Sequence, residues 1–80
     1  MTIQVYGPGG SKCFSTGRNA REAVAKLGLN IEVEEVHDLN AMMAKGIMMT
    51  PAFGIDGKVL SSGKALTTEE IMEYIKKAMS

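Results

Sequence analysis

Ala52-Phe53-Gly54-Ile55-Asp56-Gly57-Lys58-Val59-Leu60-Ser61 reads as two short strands joined by a two-residue turn. Asp-Gly supplies the two positive φ angles of a type I′ turn, whose hand matches the twist of the strands it joins. At least part of the sheet is therefore antiparallel. Downstream, Thr67 with Glu70 three residues later has the form of a capping box, and Leu66 and Ile71 form a hydrophobic staple around it. Ile71, Met72, Ile75, Ala78 and Met79 then recur as one helical stripe.

Upstream, Ile47-Met48-Met49-Thr50-Pro51 is a connection that closes on proline. A short helix leads into it, capped by Asp38, reaching Lys45 and stopped by Gly46, with Leu39, Met42 and Met43 as its apolar residues. Ile31 to Val36 alternates as a strand, with Ile31, Val33 and Glu35 on one side and Glu32 and Glu34 on the other. Ala20, Ala23, Val24 and Leu27 place a helix over Arg18 to Leu27. The same stripe runs back through Thr16 to Cys13, although Gly17 costs the first turn about 1 kcal/mol relative to Ala. Gly28 is a natural left-handed stop. Thr2 to Tyr6 alternates as a strand, and Gly7-Pro8-Gly9-Gly10 must be a loop.

The order is β-α-β-α-β-β-α. The strand–helix–strand unit implies two parallel strands with a crossover, and the hairpin adds antiparallel ones. The expected fold is α/β: a mixed four-stranded sheet with three helices packed on it, in one domain over residues 1–80. Ile3, Val5, Val24, Leu27, Ile31, Val33, Phe53, Ile55, Ile71 and Ile75 are the expected core.

The 80 residues carry nine Lys plus Arg and nine Asp plus Glu. This balance gives no general attraction to nucleic acid or to an anionic membrane surface. Apolar residues make up 45%, enough for a core. No apolar run approaches the roughly 18–20 residues of a membrane span. A monomer is expected. The single cysteine, Cys13, excludes an internal disulfide and a multi-cysteine zinc site. With no basic-and-apolar leader at the start, one thiol fits a reducing cytoplasm.

Several segments carry a resemblance: Ile3-Gln4-Val5-Tyr6-Gly7, Gly10-Ser11-Lys12-Cys13, Asn19-Ala20-Arg21-Glu22-Ala23-Val24 and Leu27-Gly28. Gly46-Ile47-Met48-Met49-Thr50-Pro51-Ala52, Ile55-Asp56-Gly57-Lys58-Val59, Ser62-Gly63-Lys64 and Glu69-Glu70-Ile71 continue it over nearly the whole chain. Together they resemble the small thioredoxin-like proteins of the redox-active disulfide protein 2 family. The resemblance implies a thioredoxin-like fold and thiol–disulfide exchange, with no cofactor and with thiol or disulfide proteins, or low-molecular-weight thiols, as partners. That family carries Cys-x-x-Cys at the start of the first helix. Its first thiol attacks a disulfide and its second resolves the mixed disulfide. Here Gly10 stands at the first position and Cys13 at the second, so the chain has no attacking thiol of the usual kind. Thr50-Pro51 matches the family's cis-proline loop, which implies that the Thr50 backbone pairs with an extended partner segment.

Two readings of Cys13 follow. Near a helix N-terminus and beside Lys12, it is a monothiol that forms mixed disulfides. As a member of the apolar stripe, it is a small buried hydrophobe. The corresponding functions are a thiol–disulfide redox protein with an incomplete motif, and a redox-inactive module that binds through the Thr50-Pro51 loop. The seven methionines, with no Met-x-x-Met or Cys-x-x-Cys ligand pattern, read as adaptable apolar filler, and no metal is expected. His37 reads as an exposed loop residue, and Glu32, Glu34 and Glu35 as a solvated strand face.

Overall fold

A computed structural model describes residues 1–80. Strand β1 (Thr2–Tyr6) leads into helix α1 (Ser11–Lys26) and strand β2 (Glu32–Val36). Helix α2 (Leu39–Ala44), strands β3 (Ala52–Ile55) and β4 (Lys58–Ser62), and helix α3 (Thr68–Met79) follow. The four strands form one sheet in the order β2-β1-β3-β4. β1 lies parallel to β2, with Tyr6 beside Val36, and antiparallel to β3, with Val5 beside Phe53. This is the mixed sheet with three helices of a thioredoxin-like α/β fold.

The local signals act as their chemistry requires. Asp56 (φ 51°) and Gly57 (φ 82°) turn the β3–β4 hairpin. Thr67 Oγ1 accepts from the Glu70 amide at 3.2 Å, and Glu70 Oε1 accepts from the Thr67 amide at 3.0 Å, which closes the capping box. Leu66 and Ile71, the staple pair, are both buried. Asp38 caps α2, accepting from the Asn40 amide at 2.9 Å.

Strand alternation divides the apolar residues between two faces. Ile3 and Val5 of β1 with Phe53 and Ile55 of β3 meet Ala20, Ala23 and Val24 of α1 and Ile71 and Ile75 of α3 in the main core. Leu27, Ile31 and Val33 pack at its margin and are only half-buried. Tyr6, Met42 and Ala52 form a smaller cluster with Val36, Ile47 and Val59 on the other side.

Three expectations are corrected. α2 has only six residues, and only Met42 turns inward; Leu39 and Met43 are exposed, as are Met48 and Met49. The methionines there are therefore not core filler, apart from Met42. α1 starts at Ser11, and Gly17 is fully inside it and buried. Gly17 is useful where it stands, because a Cβ there would lie 3.2 Å from the Glu35 carboxylate. Glu35 is accordingly not a solvated residue: it turns toward α1, and Arg21 Nη2 donates to its Oε2 at 2.8 Å.

Candidate thiol site

Cys13 lies in the first turn of α1, which begins where the Gly7-Pro8-Gly9-Gly10 loop ends. Gly10 is the N-cap, with φ −75° and ψ 180°, and contributes no side-chain cap. The Phe14 amide donates to the Gly10 carbonyl at 3.0 Å, so the helical ladder starts at the loop itself. This geometry turns Cys13 inward. Its side chain is 4% exposed, and its Sγ lies 3.7 Å from the Tyr6 carbonyl, a weak S–H···O contact.

Inward packing of the sulfur depends on Gly7. A Cβ on Gly7 would lie 1.7 Å from Sγ, so the sulfur fills the space that a side chain at residue 7 would need. Gly7 is itself anchored to the end of β2, where its amide donates to the Val36 carbonyl at 3.0 Å. Gly10 differs: its backbone is in the ordinary extended region, and a Cβ there meets nothing within 4 Å. Neither conformation nor space requires glycine at residue 10.

The Thr50–Pro51 bond is cis, and both residues face the start of α1. Pro8, Gly10, Ser11, Lys12, Cys13, Thr50 and Pro51 together line an open cavity of about 280 Å³. The fold thus brings together residues 10, 13, 50 and 51, the positions selected by the sequence. Pro51 also fixes the end of the hairpin, its carbonyl accepting from the Gly63 amide at 3.0 Å.

One participant was missed. His37 Nδ1 lies 2.9 Å from the Gly7 carbonyl, and because a carbonyl only accepts, Nδ1 carries the proton. Its Nε2 faces Glu35 Oε1 at 3.9 Å. The signal is the parallel register: Tyr6 beside Val36 puts Gly7 beside His37, a relation invisible until β1 and β2 are paired. Tyr6, whose carbonyl faces Cys13, has a phenol held above the ordinary tyrosine range by burial first and by the Glu34 charge second.

Residues 1–76 match the model of the family described as the thioredoxin domain. Over 75 residues the chain is 33% identical to a thioredoxin of Methanothermobacter thermautotrophicus, covering 94% of this chain and 97% of that protein. It is 34% identical over 76 residues to a thioredoxin of Methanocaldococcus jannaschii, covering 95% of this chain and 87% of that one. The chain belongs to the thioredoxin-domain family. No helix is long and apolar enough to cross a membrane.

Proposed function

We propose that this is a monothiol thioredoxin-like protein of the redox-active disulfide protein 2 type, acting in the cytoplasm, in which Cys13 exchanges with thiols or disulfides of partner proteins or with low-molecular-weight thiols. The Cys13 thiolate attacks one sulfur of a partner disulfide; the new S–S bond forms as the old one breaks, and the second partner sulfur leaves as a thiolate. No second thiol in the chain can displace Cys13 from that adduct. Release therefore falls to an external thiol, which takes the partner sulfur into a new disulfide and returns Cys13 to the thiol form. The partner's extended segment pairs with the Thr50 backbone beside the thiol.

The observation that carries this reading is at Gly10. An ordinary backbone conformation and open space for a Cβ lie at the rim of the cavity that Cys13 shares with Thr50 and Pro51. Gly10 stands where an attacking cysteine would fit without rearrangement. The test is dithiothreitol-coupled reduction of insulin by the unmodified chain and by Gly10→Cys. The expected result is negligible turnover in the first and catalytic turnover, with an internal disulfide in the oxidised form, in the second. Equal turnover in both would refute the monothiol reading.

A second reading rests on the burial of Cys13 and the approach of its sulfur to Tyr6 O. Here the thiol is structural, and the Thr50-Pro51 loop serves a redox-inactive binding module. Failure of both forms to turn over, with Cys13 alkylated only after denaturation, would favour it.

A further inference from the structure

We propose that His37 is a positioning residue for Cys13: its Nδ1–H clasps the Gly7 carbonyl and holds the loop in the form that receives the sulfur. The inference rests on the reading of Cys13 as an exchanging thiol. Gly7 is the surface against which Sγ packs, and its two backbone groups are both tied to the β2 end, N–H to Val36 O and C=O to His37 Nδ1. The next three residues, Pro8, Gly9 and Gly10, supply no side-chain hydrogen bond to the loop. Release of the Gly7 carbonyl therefore loosens the segment between β1 and α1, and with it the cover over the thiol.

The clasp is braced from two elements. Glu35 of β2 presents Oε1 to His37 Nε2 at 3.9 Å, while its Oε2 accepts from Arg21 of α1 at 2.8 Å. Gly17 provides the room on α1 for that carboxylate. Glu35 faces the imidazole from β2 and is itself held by Arg21 of α1, and the 7–10 loop contributes no ionisable side chain. A neutral imidazole keeps its Nδ1–H bond and turns an Nε2 lone pair toward the carboxylate. An imidazolium keeps the same Nδ1–H bond, so the clasp does not depend on the charge of the ring.

The test is the rate at which iodoacetamide alkylates native Cys13 at neutral pH, in the unmodified chain, His37→Leu and His37→Asn, with urea unfolding measured on each. Asparagine can place an amide donor near the Nδ1 position without titrating. At neutral pH His37→Leu should react roughly fivefold faster, the factor carried by one hydrogen bond of ordinary strength. His37→Asn should stay within about twofold of the unmodified chain on the same scale. A folded His37→Leu with an unchanged rate overturns the proposal. If His37→Leu does not fold, His37→Gln replaces it, because its amide matches Nε2 rather than Nδ1. If native Cys13 resists alkylation in every form, the exchange reading fails on its own account. The clasp is then read from amide hydrogen exchange at Gly9, Gly10 and Cys13: faster exchange without the Nδ1 donor supports it, and unchanged exchange overturns it.

Discussion

The sulfur of Cys13 and the missing side chain of Gly7 occupy one space: a Cβ on Gly7 would stand 1.7 Å from Sγ, whereas the Cys13 Cβ would be an ordinary neighbour at 3.4 Å. The two residues are therefore coupled, and the coupling is specific to the sulfur atom.

Gly7→Ala in the unmodified chain must expel the sulfur or bend the loop. A loss of about 1–3 kcal/mol is expected, the usual cost of overpacking a filled interior. In a Cys13→Ala background the same substitution should cost much less, because Sγ is gone and the remaining neighbours, Cβ of residue 13 at 3.4 Å and Thr50 Cβ at 3.7 Å, are at ordinary contact distance. Urea unfolding of the two single variants and the double variant gives the interaction energy directly. Additive costs would show that the sulfur does not fill the Gly7 space in solution.

The entrance to α3 makes a prediction in pH. Lys64 donates to Glu70, and this bond holds the Glu70 carboxyl below its usual range and the Lys64 amine above its own. A lowered carboxyl contributes stability above its unfolded pKa, about 4.3, and loses it as pH falls through the lower folded value. A raised amine contributes below about 10.4 and loses it as pH rises through the higher folded value. Glu70→Gln can keep a capping-box acceptor but removes the charge. It should melt below the unmodified chain near neutrality, with the gap closing in strong acid and in strong alkali. A pH-independent gap would contradict this. Lys64 is exposed and Glu70 partly so, and the effect should shrink further in high salt.

Tyr6 adds to the alkaline flank. Its phenol is raised by burial and then by Glu34, so its neutral form belongs to the folded state. That contribution is present below the unfolded tyrosine pKa of about 10 and is lost as pH climbs through the higher folded value. Thermal melts between neutrality and strong alkali should fall more steeply for the unmodified chain than for Tyr6→Phe. Parallel curves would refute the assignment.

Removal of the cap itself provides a scale. Thr67→Ala deletes the acceptor for the Glu70 amide and should cost about 1 kcal/mol. In a domain of this size that loss lowers the melting temperature by roughly 4–8 °C. A shift under about 2 °C on that scale would mean that the helix entrance is held by Leu66 and Ile71 alone.

The parts of the fold that could be read from the chain are those with a short-range cause. The Asp56-Gly57 turn, the Thr67–Glu70 box and the alternation of Ile3 and Val5 each declare themselves within a few residues. The site was half legible for the same reason: the spacing of Gly10 and Cys13 is local, and Thr50-Pro51 is a recognisable dipeptide. Relations fixed by neighbouring strands stayed hidden. Gly17 reads as a weakness in a helix until Glu35 is seen against it, and His37, the exposed loop residue expected, shows its tie to Gly7 only once the parallel register is set. Leu39 and Met43 misled because an apolar spacing does not reveal how little sheet remains for a helix of six residues to cover.

The position of β1 has a consequence for the order in which the protein can be made. The first of the four strands to be synthesised lies in the middle of the sheet, with β2 on one side and β3 on the other. Ile3 and Val5 pack in one cluster with Phe53, Ile55, Leu66, Ile71 and Ile75, all from residue 53 onward, and α3 closes that cluster. A nascent chain ending at Gly46 owns the α1 crossover and the β1–β2 pair but none of those five partners. Of the four strands the earliest made thus waits for its core partners, and its apolar face stays open until α3 has been translated.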